Sequence, residues 1–227
     1  MRGKLIVIEG TDCSGKETQA KLLKEKLNEN NIKTEIISFP CYETATGKIV
    51  GGALLGKEKI GQSFFSEGTP NVNPKILSLY YAADRLYNIK KINDLVSEGV
   101  NVILDRYVYS NMAFQGSKMS DDLERIEFFK WIEKLEFDLL ELPKGDINIF
   151  LHVPVLKTIE LLNKRCEKMD SNESDFNYLK KCEETYLLLS KKYDFKIIEC
   201  VSNNELESID KIGDKLFDYV IKTIKKF

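Results

Sequence analysis

Ten consecutive residues, Gly10-Thr11-Asp12-Cys13-Ser14-Gly15-Lys16-Glu17-Thr18-Gln19, join a short apolar run to a segment of helical period. Glycines at such a junction let successive backbone N–H groups curl around phosphate oxygens. The helix that follows adds the positive end of its dipole, and Lys16 brings a mobile charge to the outer phosphates. This is a P-loop in its required context, and Gly10, Thr11, Cys13, Ser14, Gly15, Lys16, Glu17 and Thr18 form the candidate triphosphate cradle. The usual pattern places Ser or Thr after the lysine to bind Mg²⁺, whereas here Glu17 stands there. Two readings stay open: the Glu17 carboxylate binds the ion directly or through water, or Glu17 points outward and Asp105 holds it with water. Cys13 is either a thiol activated by a helix N-terminus or a small residue at a permissive turn position.

A second constellation closes the apolar run Val102 to Leu104 as Asp105-Arg106-Tyr107. A carboxylate at a strand tip beside a P-loop is placed to orient magnesium, and an adjacent arginine offers a planar fork for phosphate. Arg85 ends the run LSLYYAADR. Two arginines beyond Lys16 point to a second, separately bound phosphate, hence to a kinase with a phosphorylated acceptor rather than a simple ATPase or GTPase. Each Arg also has an ordinary reading as a surface ion pair.

These residues need a sheet to position them. Leu5 to Ile8, Glu35 to Phe39, Val102 to Leu104, Ile147 to Val153 and Phe195 to Cys200 read as strands buried on both faces. Helical patterns lie between them at Lys16 to Asn28, Pro74 to Ser97, Asp121 to Phe137, Val155 to Glu167, Phe176 to Lys192 and Leu206 to Lys226. The alternation predicts an α/β fold, a five-stranded parallel sheet with helices on both faces, and ligands bound beyond the carboxyl ends of the strands. The Gly-rich segment Gly47 to Asn73 is expected to run over the surface and to move on ligand binding, as is Lys168 to Ser174.

Composition narrows the classes. The 227 residues carry 34 Lys and Arg against 36 Asp and Glu, net −2, so no global basic field exists to hold polymeric nucleic acid. Five cysteines without a CxxC pair argue against both a disulfide framework and a zinc cage. No apolar stretch approaches a signal peptide or a membrane span, so the chain reads as cytoplasmic. With His152 as the single histidine, histidine chemistry is nearly excluded. A regulatory GTPase would need NKxD, and the nearest string, Asn163-Lys164-Arg165-Cys166, lacks the Asp.

Over its whole length the chain resembles the thymidylate kinase family, which has the P-loop NTPase fold. The stretches that carry the resemblance are EGTDCSGKETQ, FPCYETATG, NPKILSLYYAADR, DRYVYSNMAFQG and FLHV followed by ESDFNYLKKCEETYLLL. The resemblance implies one domain over 1–227 with a mobile lid at about 163–175, transfer of the γ-phosphoryl of ATP to thymidine 5′-monophosphate (dTMP), Mg²⁺ as cofactor and a homodimer formed through the Pro74 to Ser97 helix. It places Asp12 at the sugar 3′-hydroxyl, Arg106 with Tyr42 at the acceptor phosphate, Arg85 at base or phosphate, Tyr81 as the stacking ring and Asn111 at the base edge. Phe114 falls on the sugar 2′ side with Gln115 beside it, and Phe39 and Pro40 belong to the same wall or simply end a strand. Tyr80 is the alternative to Tyr81, and Tyr186 is either a site residue or packing. Arg165 is the implied lid cation near the transferring group, flanked by Lys164 and Lys168 in a lid that also holds Asp170, Glu173 and Asp175. His152 departs from the family's usual Asp. A kinase for another pyrimidine monophosphate such as dUMP, and a nucleotide-binding homologue with weak activity, are the alternatives.

Overall fold

Leu5–Glu9 is buried at every position because its two faces feed two cores. Leu5 and Val7 pack with Val102, Leu104, Met112, Phe129 and Phe150 on one side. Ile6 and Ile8 pack with Leu23, Leu27, Ile149, Leu151, Leu216 and Val220 on the other. A strand covered on both faces has no polar side to show, which is why it reads as an unbroken apolar run. The computed structural model describes residues 2–164 and 176–225.

In chain order the elements are β1 (Leu5–Glu9), α1 (Lys16–Glu29), β2 (Thr34–Ser38), α2 (Ala45–Ile49), α3 (Pro74–Ser97), β3 (Asn101–Asp105), α4 (Val108–Gly116), α5 (Asp122–Glu133), β4 (Ile147–His152), α6 (Val155–Lys164), α7 (Phe176–Lys192), β5 (Lys196–Glu199), a hairpin of β6 (Val201–Ser202) and β7 (Glu205–Leu206), and α8 (Ile209–Ile224). The main sheet is parallel throughout, in the order β2-β3-β1-β4-β5. Central β1 therefore delivers the P-loop to the sheet's carboxyl rim between the ends of β3 and β4. The five expected strands are all present. Helix α3 starts where Pro74 occupies its first turn and the Asn73 side chain accepts from the Lys75 N–H at 2.9 Å.

Three expectations are corrected. The helix over Asp121 to Phe137 is α up to Glu133 and then widens into a π-helical turn, Lys134–Leu139. The last helix begins at Ile209, after the β6–β7 hairpin that takes up Leu206. Gly47 to Asn73 does not simply cross the surface. It contains α2's end and a π-helical turn, Val50–Leu54, whose Val50 and Leu54 make a small core with Val72 and Leu77. Two of its glycines serve close approach: a Cβ on Gly47 would lie 1.8 Å from the Cys41 carbonyl oxygen, and one on Gly51 2.8 Å from the Tyr42 ring.

His152 finds a physical role at the end of β4. Its Nε2 lies 2.8 Å from Glu183 on α7 and its Nδ1 2.7 Å from Glu199 on β5. The hydrogen bond to Glu183 raises its pKa above the ordinary 6.5 against partial burial, with Glu199 adding to the rise. A pKa raised on folding gives stability that is full below 6.5 and is lost as pH climbs through the elevated folded value. His152→Gln is therefore expected to lower stability by about 1 kcal/mol at pH 6, or about 2–4 °C in Tm, with the difference shrinking by pH 9. Thermal melts at the two pH values check it.

Candidate active site

The P-loop turns where the backbone takes left-handed conformations, φ 55° at Cys13 and 76° at Gly15, and α1 starts at Lys16. Gly10 admits no side chain, since a Cβ would sit 2.4 Å from Ser14 Oγ and 3.1 Å from the Leu151 carbonyl. Lys16 Nζ folds back into the loop, donating to the Thr11 carbonyl at 2.6 Å and Ser14 Oγ at 3.2 Å. Burial, and then repulsion from Arg106, bring Lys16 down to about 8, against the pull of Asp12, Asp105 and Glu9. Thr11 Oγ1 is buried without a hydrogen-bond partner. Glu17 and Thr18 face solvent, and the Glu17 carboxylate pairs with Lys21 at 2.6 Å one turn along α1. Asp105 Oδ1, by contrast, is buried and unpartnered at the end of β3. Among the described residues no cluster of three His, Cys, Asp or Glu side chains gathers to cage a metal.

Beside the loop opens a cavity of about 1620 Å³, and Asp12, Phe39, Pro40, Tyr42, Tyr81, Arg85, Arg106, Asn111, Phe114 and Gln115 all line it. Tyr81 is on its wall, whereas Tyr80 turns away and meets the edge of the Phe65 ring. Arg106, at the tip of β3, holds φ 65°, so its side chain leaves the strand toward the P-loop. Its Nη1 donates to the Gly10 carbonyl at 3.1 Å, its Nη2 to Asp12 Oδ1 at 2.6 Å, and the guanidinium lies 5.0 Å over the Phe114 ring. Burial opposes the charge on Arg106, but Asp12 and further anionic neighbours outweigh it and raise its pKa, so it is a permanent cation. Burial raises the Tyr42 hydroxyl, which keeps it a neutral donor.

Beneath these residues lies a layer whose Glu9, Asp84 and Glu136 the sequence reading missed. Glu9 is wholly buried and accepts from the backbone N–H groups of Tyr107 at 2.9 Å and Ser110 at 3.0 Å, from the Ser110 hydroxyl, and from Tyr186 Oη at 3.0 Å. Burial raises its pKa, and these donors hold against that rise. Glu9 thus ties β1 to the start of α4, which presents Asn111, Phe114 and Gln115. Tyr186 also stacks on Phe150 at 5.0 Å, so packing and site support are one role here. Asp84 accepts from the Cys41 N–H at 2.8 Å and the Thr46 hydroxyl at 2.8 Å, fixing the loop that carries Tyr42. Glu136, in the π-helical turn after α5, takes Arg85 through its Nε and, at 2.7 Å, its Nη2. An acidic residue ending a buried strand was the available signal for Glu9. Arg165, Lys168, Asp170, Glu173 and Asp175, which the sequence assigns to a lid, lie outside the described residues, as does the Lys164 side chain.

A family model described as thymidylate kinase matches residues 8–212. Thymidylate kinase from Schizosaccharomyces pombe is 30% identical over 222 residues, covering 96% of this chain and 92% of that protein. The probable thymidylate kinase of Methanocaldococcus jannaschii is 31% identical, over 95% of this chain and 94% of its own. The solved thymidylate kinase of Candida albicans superposes with a TM-score of 0.74 at 26% identity, covering 99% of this chain and 93% of that one, which shows the P-loop NTPase fold.

Proposed function

The chain belongs to the thymidylate kinase family, and from that premise we propose how its residues carry out the family's reaction. It catalyses transfer of the γ-phosphoryl of ATP to dTMP, giving the diphosphate and ADP. The observation that carries the residue assignments is the meeting of the P-loop and Arg106 across one rim, joined by the Arg106–Asp12 pair at the mouth of the cavity.

In this reading Gly10, Thr11, Cys13, Ser14, Gly15 and Lys16 hold the ATP phosphates. Arg106 and Tyr42 hold the acceptor phosphate, and Asp12 takes the 3′-hydroxyl. The guanidinium has five donors in a fixed plane, so it keeps Asp12 on one edge while offering another to phosphate. Tyr81 stacks on the base, Asn111 and Arg85 read its edge, Phe114 excludes a ribose 2′-hydroxyl, and Phe39, Pro40 and Gln115 close the wall. An acceptor phosphate oxygen then attacks the γ-phosphorus in line as the bond to the bridging oxygen breaks. The protein's work is positioning, charge stabilisation and exclusion of water. Arg165 is the proposed cation beside the transferring group, by resemblance alone.

Mg²⁺ suits this site. Asp105 has a buried carboxylate oxygen to spare, and a hard ion that keeps its waters needs few protein ligands. Bound there, it would neutralise charge on the phosphates. The outward pairing of Glu17 with Lys21 supports Asp105, not Glu17, as its holder. Asp105→Asn is expected to raise the Mg²⁺ concentration for half-maximal rate by about 10- to 100-fold while Glu17→Gln leaves it unchanged. Titrations of rate against Mg²⁺ decide between them.

The chain works as one domain, in the cytoplasm and as a homodimer. No described helix is long and apolar enough to cross a membrane. The exposed stripe of Ile76, Leu79, Leu86 and Tyr87 along α3 supports a subunit interface. A panel of nucleoside monophosphates with ATP, scored for ADP release, tests the function. dTMP should be the best acceptor, and dUMP, lacking one methyl, should trail by about 10- to 200-fold. Nucleotide binding without ADP release would contradict the reading.

A further inference from the structure

Asn111 is nearly inaccessible, and its amide is held from one side. Nδ2 donates to the Ser78 carbonyl at 3.3 Å and to Glu136 Oε1 at 3.1 Å, while Oδ1 is buried with no hydrogen-bond partner on a residue that lines the cavity. A primary amide has a donor end and an acceptor end, and whatever grips one end decides which the ligand meets. A carboxylate only accepts, so Glu136 can be satisfied only by the NH₂ end. The same carboxylate takes Nε and Nη2 of Arg85, leaving Nη1 outside the fork. What Glu136 leaves uncommitted on these two cavity-lining residues is an acceptor, Asn111 Oδ1, and the donors of Arg85 Nη1, with their roles fixed by one buried group.

That order suits one class of pyrimidine. A 4-oxo ring carries an N3–H donor beside an O4 acceptor, whereas a 4-amino ring carries an N3 acceptor beside an amino donor and meets like groups at both positions. We propose that Glu136 is a positioning residue for base selection: by accepting from Asn111 and Arg85 together, it sets the site to take 4-oxo and to reject 4-amino pyrimidine monophosphates. The inference rests on the proposed placement of the acceptor base beside Asn111. It assigns nothing to the 5-methyl group, since thymine and uracil share this edge.

The test compares wild type with Glu136→Gln, measuring kcat/KM for dTMP, dUMP and dCMP and KM for ATP. A glutamine can donate to Asn111 Oδ1 and lets the amide turn. The dTMP-to-dCMP preference should then fall at least tenfold, through KM for the acceptor. The dTMP-to-dUMP ratio and KM for ATP should stay within about twofold, which general structural damage would not produce. A folded variant that keeps the wild-type dTMP-to-dCMP preference, or loses activity equally on all three acceptors, overturns the role of Glu136 while leaving the kinase reading intact. A wild type that releases no ADP with dTMP removes both. If Glu136→Gln gives no cooperative melt, Glu136→Asp keeps the counter-charge to Arg85 but withdraws it from Asn111 by one methylene. The same fall in preference is expected there, and an unchanged preference again overturns the proposal.

Discussion

Lys16→Met is expected to lower kcat by on the order of 10²- to 10³-fold, equivalent to about 3–4 kcal/mol of transition-state stabilisation. The side chain is buried in the loop, and its Nζ sits on the Thr11 carbonyl and Ser14 Oγ, groups that phosphate oxygens would replace as partners. Methionine keeps the apolar stem and removes the charge, so the loss falls on chemistry and not on packing. Burial and Arg106 also bring Lys16 to about 8, which gives a signature of its own. Phosphates raise that pKa on binding, so ATP affinity should be full below pH 8 and decline above it, with a proton taken up as the complex forms. Rapid-quench turnover gives the first effect. Calorimetry at pH 8 in buffers of different ionisation heat gives the second, and the methionine variant should show no such uptake.

Arg106→Ala should cut kcat/KM for dTMP by on the order of 10²- to 10³-fold with KM for ATP little changed. Two losses combine. The fork for the acceptor phosphate disappears, and Asp12 is left without the cation 2.6 Å away that balances it, so the cavity repels the incoming anion. Arg106→Lys should recover only part of this, because an ammonium cannot span Asp12 and a phosphate in one plane. Steady-state kinetics varying each substrate in turn separates acceptor from donor effects. Equal losses on both sides would count against a dedicated acceptor role.

The sheet was legible because double-sided burial leaves short, nearly unbroken apolar runs: LIVI, VIL after Asn101, and INIFL with Asn148 as its one polar residue, each ending at the functional rim. The P-loop was legible because glycine and lysine at that spacing have few other uses between strand and helix. Helix α4 was not, since it is buried on nearly all sides and carries no amphipathic stripe. Glu136 was hidden for a different reason. In WIEKLEF it looks like one more solvated charge, and the π-helical turn at Lys134–Leu139 departs from the regular period the sequence suggests and leaves it fully buried. Gly47 and Gly51 misled because a packing glycine and a flexible one are spelled alike, and only the fold shows that a Cβ on Gly47 would fall 1.8 Å from the Cys41 carbonyl oxygen.

A crystal structure of the protein with dTMP and ADP tests the two-anion arrangement most directly. The monophosphate is expected on Arg106 and Tyr42, its ring on Tyr81 with N3–H toward Asn111 Oδ1, and the ADP phosphates in the loop around Lys16. A monophosphate seated outside the cavity bounded by Tyr81, Arg106 and Asn111, or both nucleotides competing for the loop, would contradict it.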